Sequence, residues 1–244
     1  SWNVDNKELS VACKDLKKLT KITKDTKVVV TYKATLDADA NIGSQGNPNT
    51  AYLEYNNNPY YEGENKGETG KTPEDKNIVF TYKVVANKVD EHKEALTGAI
   101  FELFKKNLDG TYASLGIVGA KRNTDGKLID KDGKEITEND KNKMVVVDGN
   151  TTFEWKGLYD GVYKIVEVVT PAGYNSIPDQ EFEVTATHVE TADNPTLTTL
   201  SGEPATGSVI TLESDSNTGV LSTKIVNKSG SILPSTGGMG TTIF

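Results

Sequence analysis

The chain has 244 residues, a formal net charge of −8 and a single cysteine, Cys13. The length allows one large or two small domains, the acidic balance opposes nucleic-acid binding, which needs a basic face, and a lone cysteine excludes an internal disulfide. His92 and His188 lie far apart without metal-ligand spacing, and no Ser/His/Asp set, phosphate loop or cofactor motif is present.

The opening residues, Ser1-Trp2-Asn3-Val4-Asp5, lack the basic start and apolar run of a signal peptide. The lysine-rich stretch from Leu9 to Leu19 predicts one short helix. Beyond it, alternation of period two dominates. Val28, Val30, Tyr32, Ala34 and Leu36 share one predicted strand face, and Ala51, Leu53, Tyr55 and Asn57 share another. Residues 62–76, rich in Gly, Glu, Lys and Thr, predict a long loop or hinge. Ile78, Phe80, Tyr82, Val84, Ala86 and Lys88 form a longer run in phase, followed by Ala99, Phe101 and Leu103. Residues 119–150 are polar and predict an inserted hairpin or loop; Asp130-Lys131-Asp132-Gly133 lacks the calcium-loop register and reads as a turn. Tyr163, Ile165 and Glu167 alternate next, then Phe182, Val184 and Ala186, and finally Leu221, Thr223, Ile225 and Asn227. Asp-Gly pairs at 109–110, 125–126, 132–133 and 160–161 supply turn chemistry. Many short strands without crossover helices predict an all-β fold of two immunoglobulin-like sandwiches in tandem. Their expected bounds are 1–82 and 83–228, with a flexible tail over 229–244.

Three polar residues fall in phase with apolar faces: Lys88, Glu167 and Asn227. Two readings stand on the alternation alone. Each polar group can escape to solvent, Lys88 by snorkelling, Glu167 by pairing with a surface lysine and Asn227 by capping a turn. Alternatively all three meet in the core. Burial there favours neutral Lys and Glu. A neutral amine is a nucleophile, and a protonated carboxyl beside the Asn amide can polarise it and move protons. Attack would expel ammonia and leave an isopeptide bond between the first and last strands.

Those residues lie in motifs that carry a family resemblance. Asn87-Lys88-Val89-Asp90 with Leu96-Thr97-Gly98-Ala99-Ile100-Phe101-Glu102-Leu103 resembles the opening of B-type repeats of collagen-binding adhesins. Tyr163-Lys164-Ile165-Val166-Glu167 with Pro171-Ala172-Gly173-Tyr174 resembles the E-box of Gram-positive pilins, although Val168 replaces the usual Thr. Ile225-Val226-Asn227-Lys228 resembles the closing strand. Residues 28–59 resemble the middle domain of major (backbone) pilins. Leu233-Pro234-Ser235-Thr236-Gly237 resembles an LPxTG sorting signal, in which sortase cuts after the Thr, here Thr236.

The resemblance implies a sortase-assembled backbone pilin, C-terminal portion. It implies an isopeptide bond between Lys88 and Asn227 with Glu167 as the catalytic acid. It implies a second bond-forming residue, Asn57, whose lysine would lie upstream of Ser1, so both chain ends are expected to be cut. The implied partners are a pilus-class sortase, identical subunits, minor or tip pilins, peptidoglycan through a housekeeping sortase, and host surface ligands. The implied location is a wall-anchored pilus on a Gram-positive cell. No multiple-turnover enzyme and no cofactor are implied; the bond forms once, on the chain itself. The other reading is a monomeric wall-anchored adhesin.

Overall fold

The computed structural model describes residues 1–3, 7–13, 15, 18–20, 22–23, 25–37, 39–58, 60, 67–118, 121–122, 128–129, 151–189 and 194–230. The sorting motif at 233–237, the turn at 130–133 and most of the 119–150 insertion lie outside these residues. Two compact units are present: residues 1–36 with 50–76, and residues 37–49 with 77–244.

The first unit holds two short antiparallel pairs. β1 (Trp2–Asn3) pairs with β2 (Glu8–Leu9). After β3 (Asn47–Ala51), β4 (Glu54–Asn56) pairs with β5 (Thr69–Lys71), inside the stretch expected to be a loop. No α-helix forms among the described residues of 9–19. Residues 28–36 form no strand either. Val28 and Val29 are 70% and 79% exposed. Alternation here meets no neighbouring strand among the described residues, and a ribbon without a ladder has nothing to hold it extended.

The second unit is a two-sheet sandwich. The run from Ile78 to Lys88 is broken at Phe80-Thr81 into β6 (Asp75–Val79) and β7 (Tyr82–Asp90). There follow β8 (Ile100–Lys106), β9 (Tyr112–Val118), β10 (Lys121–Arg122), β11 (Leu128–Ile129) and β12 (Thr152–Leu158). The last five are β13 (Gly161–Val169), β14 (Gln180–Val189), β15 (Thr196–Pro204), β16 (Glu213–Asp215) and β17 (Val220–Asn227). One sheet runs β12-β7-β17-β16, the other β15-β14-β13-β8-β9. All neighbours are antiparallel except β7 and β17, which are parallel. The expected all-β sandwich class is therefore borne out.

Alternate residues fill the space between the sheets: Val84 and Ala86 from β7, Phe101 and Leu103 from β8, Phe153 and Trp155 from β12. Tyr163 and Ile165, Phe182 and Val184, and Leu221 and Ile225 complete it from β13, β14 and β17. Each such side chain contributes about 1.5–3 kcal/mol by leaving water. Phe101 meets Phe153 edge to face at 4.8 Å, the arrangement aromatic quadrupoles prefer.

Residues 37–49 brace the start of β7. Gly43 donates its N–H to Thr81 O at 2.9 Å, and Thr81 Oγ1 donates to Asn41 O at 3.0 Å. Gly43 (φ +86°) packs on Gly219 (φ +69°) so closely that a Cβ on Gly43 would stand 2.5 Å from the Thr218 carbonyl carbon. Only glycine fits both the left-handed backbone and the approach.

Candidate functional site

Register brings together the three polar residues that continue apolar faces. Lys88 on β7 pairs with Ile225 on β17. Asn227 lies two residues beyond Ile225, so its side chain shares the inward face with that of Lys88. Lys88 and Asn227 are both wholly buried. Glu167 comes from the opposite sheet, on β13, where its register partner is Phe101 on β8.

Asn227 Nδ2 donates to Glu167 Oε1 at 3.0 Å, to Oε2 at 3.1 Å and to Asn175 O at 2.9 Å. Asn227 Oδ1 is buried without a hydrogen-bond partner. Lys88 Nζ donates to Val89 O at 2.9 Å and Ile225 O at 3.2 Å. Burial pushes the Lys88 amine down to about 8, against the weaker pull of the Glu167 and Asp90 charges. At pH 7 that leaves about a tenth of the amine neutral, against roughly 0.03% for an ordinary lysine.

Glu167 is held from the turn that follows its strand. Thr170 Oγ1 donates to Oε2 at 3.0 Å and Ile177 N to the same oxygen at 3.3 Å. The sequence reading noted a missing hydroxyl at Val168; the structure supplies one from Thr170. Thr170, Asn175 and Ile177 were not singled out from the sequence. The Pro171-Ala172-Gly173-Tyr174 motif beside them was the available signal.

The remaining expected site residue, Asn57, lies in the first unit. It is exposed after β4, its N–H donating to Glu68 O at 2.9 Å.

The sandwich agrees with the family comparison in its fold. Residues 82–198 match the SpaA family model, described as a prealbumin-like fold domain. The chain is 32% identical over 169 residues to the trypsin-resistant surface T6 protein of Streptococcus pyogenes serotype M6. That match takes 66% of this chain and 26% of the relative, so the chain spans about a quarter of that protein's length. Among solved structures, the T6 backbone pilin of S. pyogenes serotype M6 is similar at TM-score 0.42 and 19% identity, over 79% of this chain and 45% of that one. The group B streptococcus pilus 2b backbone protein is similar at TM-score 0.36 and 20% identity, over 68% of this chain and 50% of that one. Lys88 and Glu167 lie within the matched residues; Asn227 lies beyond them.

Proposed function

We propose that the chain is part of a shaft subunit of a covalent cell-surface pilus, with its SpaA domain closed by an isopeptide bond between Lys88 and Asn227. The observation that carries this reading is the burial of a lysine with a depressed pKa on the same face as an Asn whose amide rests on a carboxylate. In the reaction the neutral Lys88 amine attacks Asn227 Cγ. The new bond is Nζ–Cγ, the broken bonds are Cγ–Nδ2 and one Nζ–H, and ammonia leaves. Glu167 moves the proton from the amine to the departing nitrogen.

In this reading Thr236 is the acyl donor to a pilus-class sortase, the acceptors are identical subunits, and a housekeeping sortase passes the finished fibre to peptidoglycan. Minor or tip pilins and host surface ligands complete the partner set. Asn57 would bond a lysine supplied from outside residues 1–244. The chain turns over no substrate; its chemistry is a single event on itself.

The test is intact mass. The purified chain should be lighter than its sequence by about 17 Da, one ammonia, with tandem spectra joining Lys88 to Asn227. Glu167→Ala should restore the full mass. A wild-type chain of full mass would sink the bond. Polymer ladders with a pilus sortase would separate the shaft role from a monomeric adhesin.

A further inference from the structure

We infer that Glu91 is a positioning residue for the Lys88–Asn227 bond, its carboxylate gripping Ser229 and fixing β17 in the register that brings Asn227 to Lys88. The inference rests on the bond proposed above. It deepens that reading by adding a contact outside the buried triad.

Glu91 follows the last residue of β7, and Ser229 comes two residues after the end of β17. Ser229 N donates to Glu91 Oε2 at 3.1 Å and Oε1 at 3.2 Å, and the Ser229 hydroxyl donates to Oε1 as well. One carboxylate thus ties together the ends of the two strands the bond would join. The Ser229 hydroxyl is also the main reason the Glu91 carboxyl sits below its ordinary range.

The turn that carries Glu91 is built to present it. Asp90 Oδ1 accepts from His92 N and Glu94 N, both at 2.9 Å, and Asp90 N donates to Glu94 O at 2.9 Å. Lys93 takes φ +69°, a left-handed conformation uncommon outside glycine. The far side of the grip is fixed as well. Asn175 N donates to Lys228 O at 2.9 Å and Gly230 N to Gly173 O at 2.8 Å. The same loop holds the Asn227 amide through Asn175 O.

Register matters because a slip of one residue turns every side chain of a strand to the opposite face. A slipped β17 would point Asn227 outward and bring Val226 or Lys228 to the triad. Before the bond forms, the ladder, the bonds from the Gly173–Asn175 loop and the Glu91 grip together oppose that slip. After it forms, the covalent link makes the grip redundant. A positioning role therefore appears in the rate of closure and not in the closed product.

The experiment follows closure of the whole chain after cell-free synthesis, by intact mass at timed intervals. Glu91→Ala should slow the loss of ammonia roughly three- to tenfold, the range for an exposed charge-assisted contact. Ser229→Ala should slow it less, and the double variant no more than Glu91→Ala, since the two share one contact. Glu94→Ala, on the same turn, should close at the wild-type rate. The closed Glu91→Ala protein should melt within about 2 °C of closed wild type. Should Glu91→Ala fail to fold, Ser229→Ala, which removes only an exposed hydroxyl, carries the same comparison. Closure of the variants at the wild-type rate overturns the role of Glu91 alone. A slower rate accompanied by an equally impaired closed product overturns it too, as a structural effect. A wild-type chain that never loses ammonia overturns both the role and the bond.

Discussion

Residues 28–36 and residues 82–90 carry the same kind of alternation, yet only the second stretch is a strand. β7 is flanked on both sides, by β12 and by β17, and its inward residues Tyr82, Val84, Ala86 and Lys88 are buried. Residues 28–36 have no ladder with any of the described residues, and Val28, Val30 and Tyr32 stay at least half exposed. The difference lies in the neighbours and not in the pattern. Alternation says which face a strand would bury; a hydrogen-bonded neighbour decides whether it forms.

Four measurements sharpen that contrast. The largest effect is expected from Asn227→Ala, which, with the proposed bond in place, removes about 4–5 kcal/mol of cross-link stabilisation from the sandwich by chain-entropy reasoning; its denaturant midpoint, read against wild type, reports this. Next, Trp155→Ala should cost about 3–5 kcal/mol because the indole is buried in the core. Tyr32→Ala, by contrast, should stay within about 0.5 kcal/mol. Equal losses in the two variants would mean that residues 28–36 are packed after all.

A smaller effect comes from pH. Burial holds Lys88 at about 8 in the folded, unclosed native chain, against the ordinary 10.5, and Asn227→Ala keeps the chain unclosed. The unfolded chain binds the extra proton between those values, so stability should rise with pH there. The penalty of the buried amine, on the order of 3–4 kcal/mol, is fully present below about pH 8 and fades towards pH 10.5. Lys88→Met in the same background should flatten the slope, as should closure itself, which removes the titrating amine. The smallest perturbation is hydrogen exchange in the native protein. Amides of residues 84–89 should exchange far more slowly than those of residues 28–36.

Much of the sandwich was legible, and the gaps have causes. β7, β8, β13, β14 and β17 keep strict phase over three or more inward residues, so they can be read directly. β12 was passed over. Gly157, at φ +71°, sits at a register shift between Trp155 and Leu158, and the phase is lost there. β15 was passed over for a similar reason: its inward Leu197 and Leu200 are three apart, across an irregularity opposite Thr187 and His188. The triad residues were legible because each continues an apolar face. Their supports were not. Asn175 O and Ile177 N are main-chain groups that any residue could supply, and Thr170 reaches back three positions from a turn. The Glu91 grip was equally silent, since a glutamate after a strand is an ordinary surface residue until its partner is known.

The parallel pairing of β7 and β17 has a mechanical consequence. One strand opens the two-sheet sandwich and the other closes it, and they lie side by side from Lys83–Val220 to Asp90–Asn227. A pull on the two ends of the sandwich drags these strands lengthwise past each other. Every rung of that ladder then resists together, in shear, whereas a hairpin pulled at its open end unzips one rung at a time.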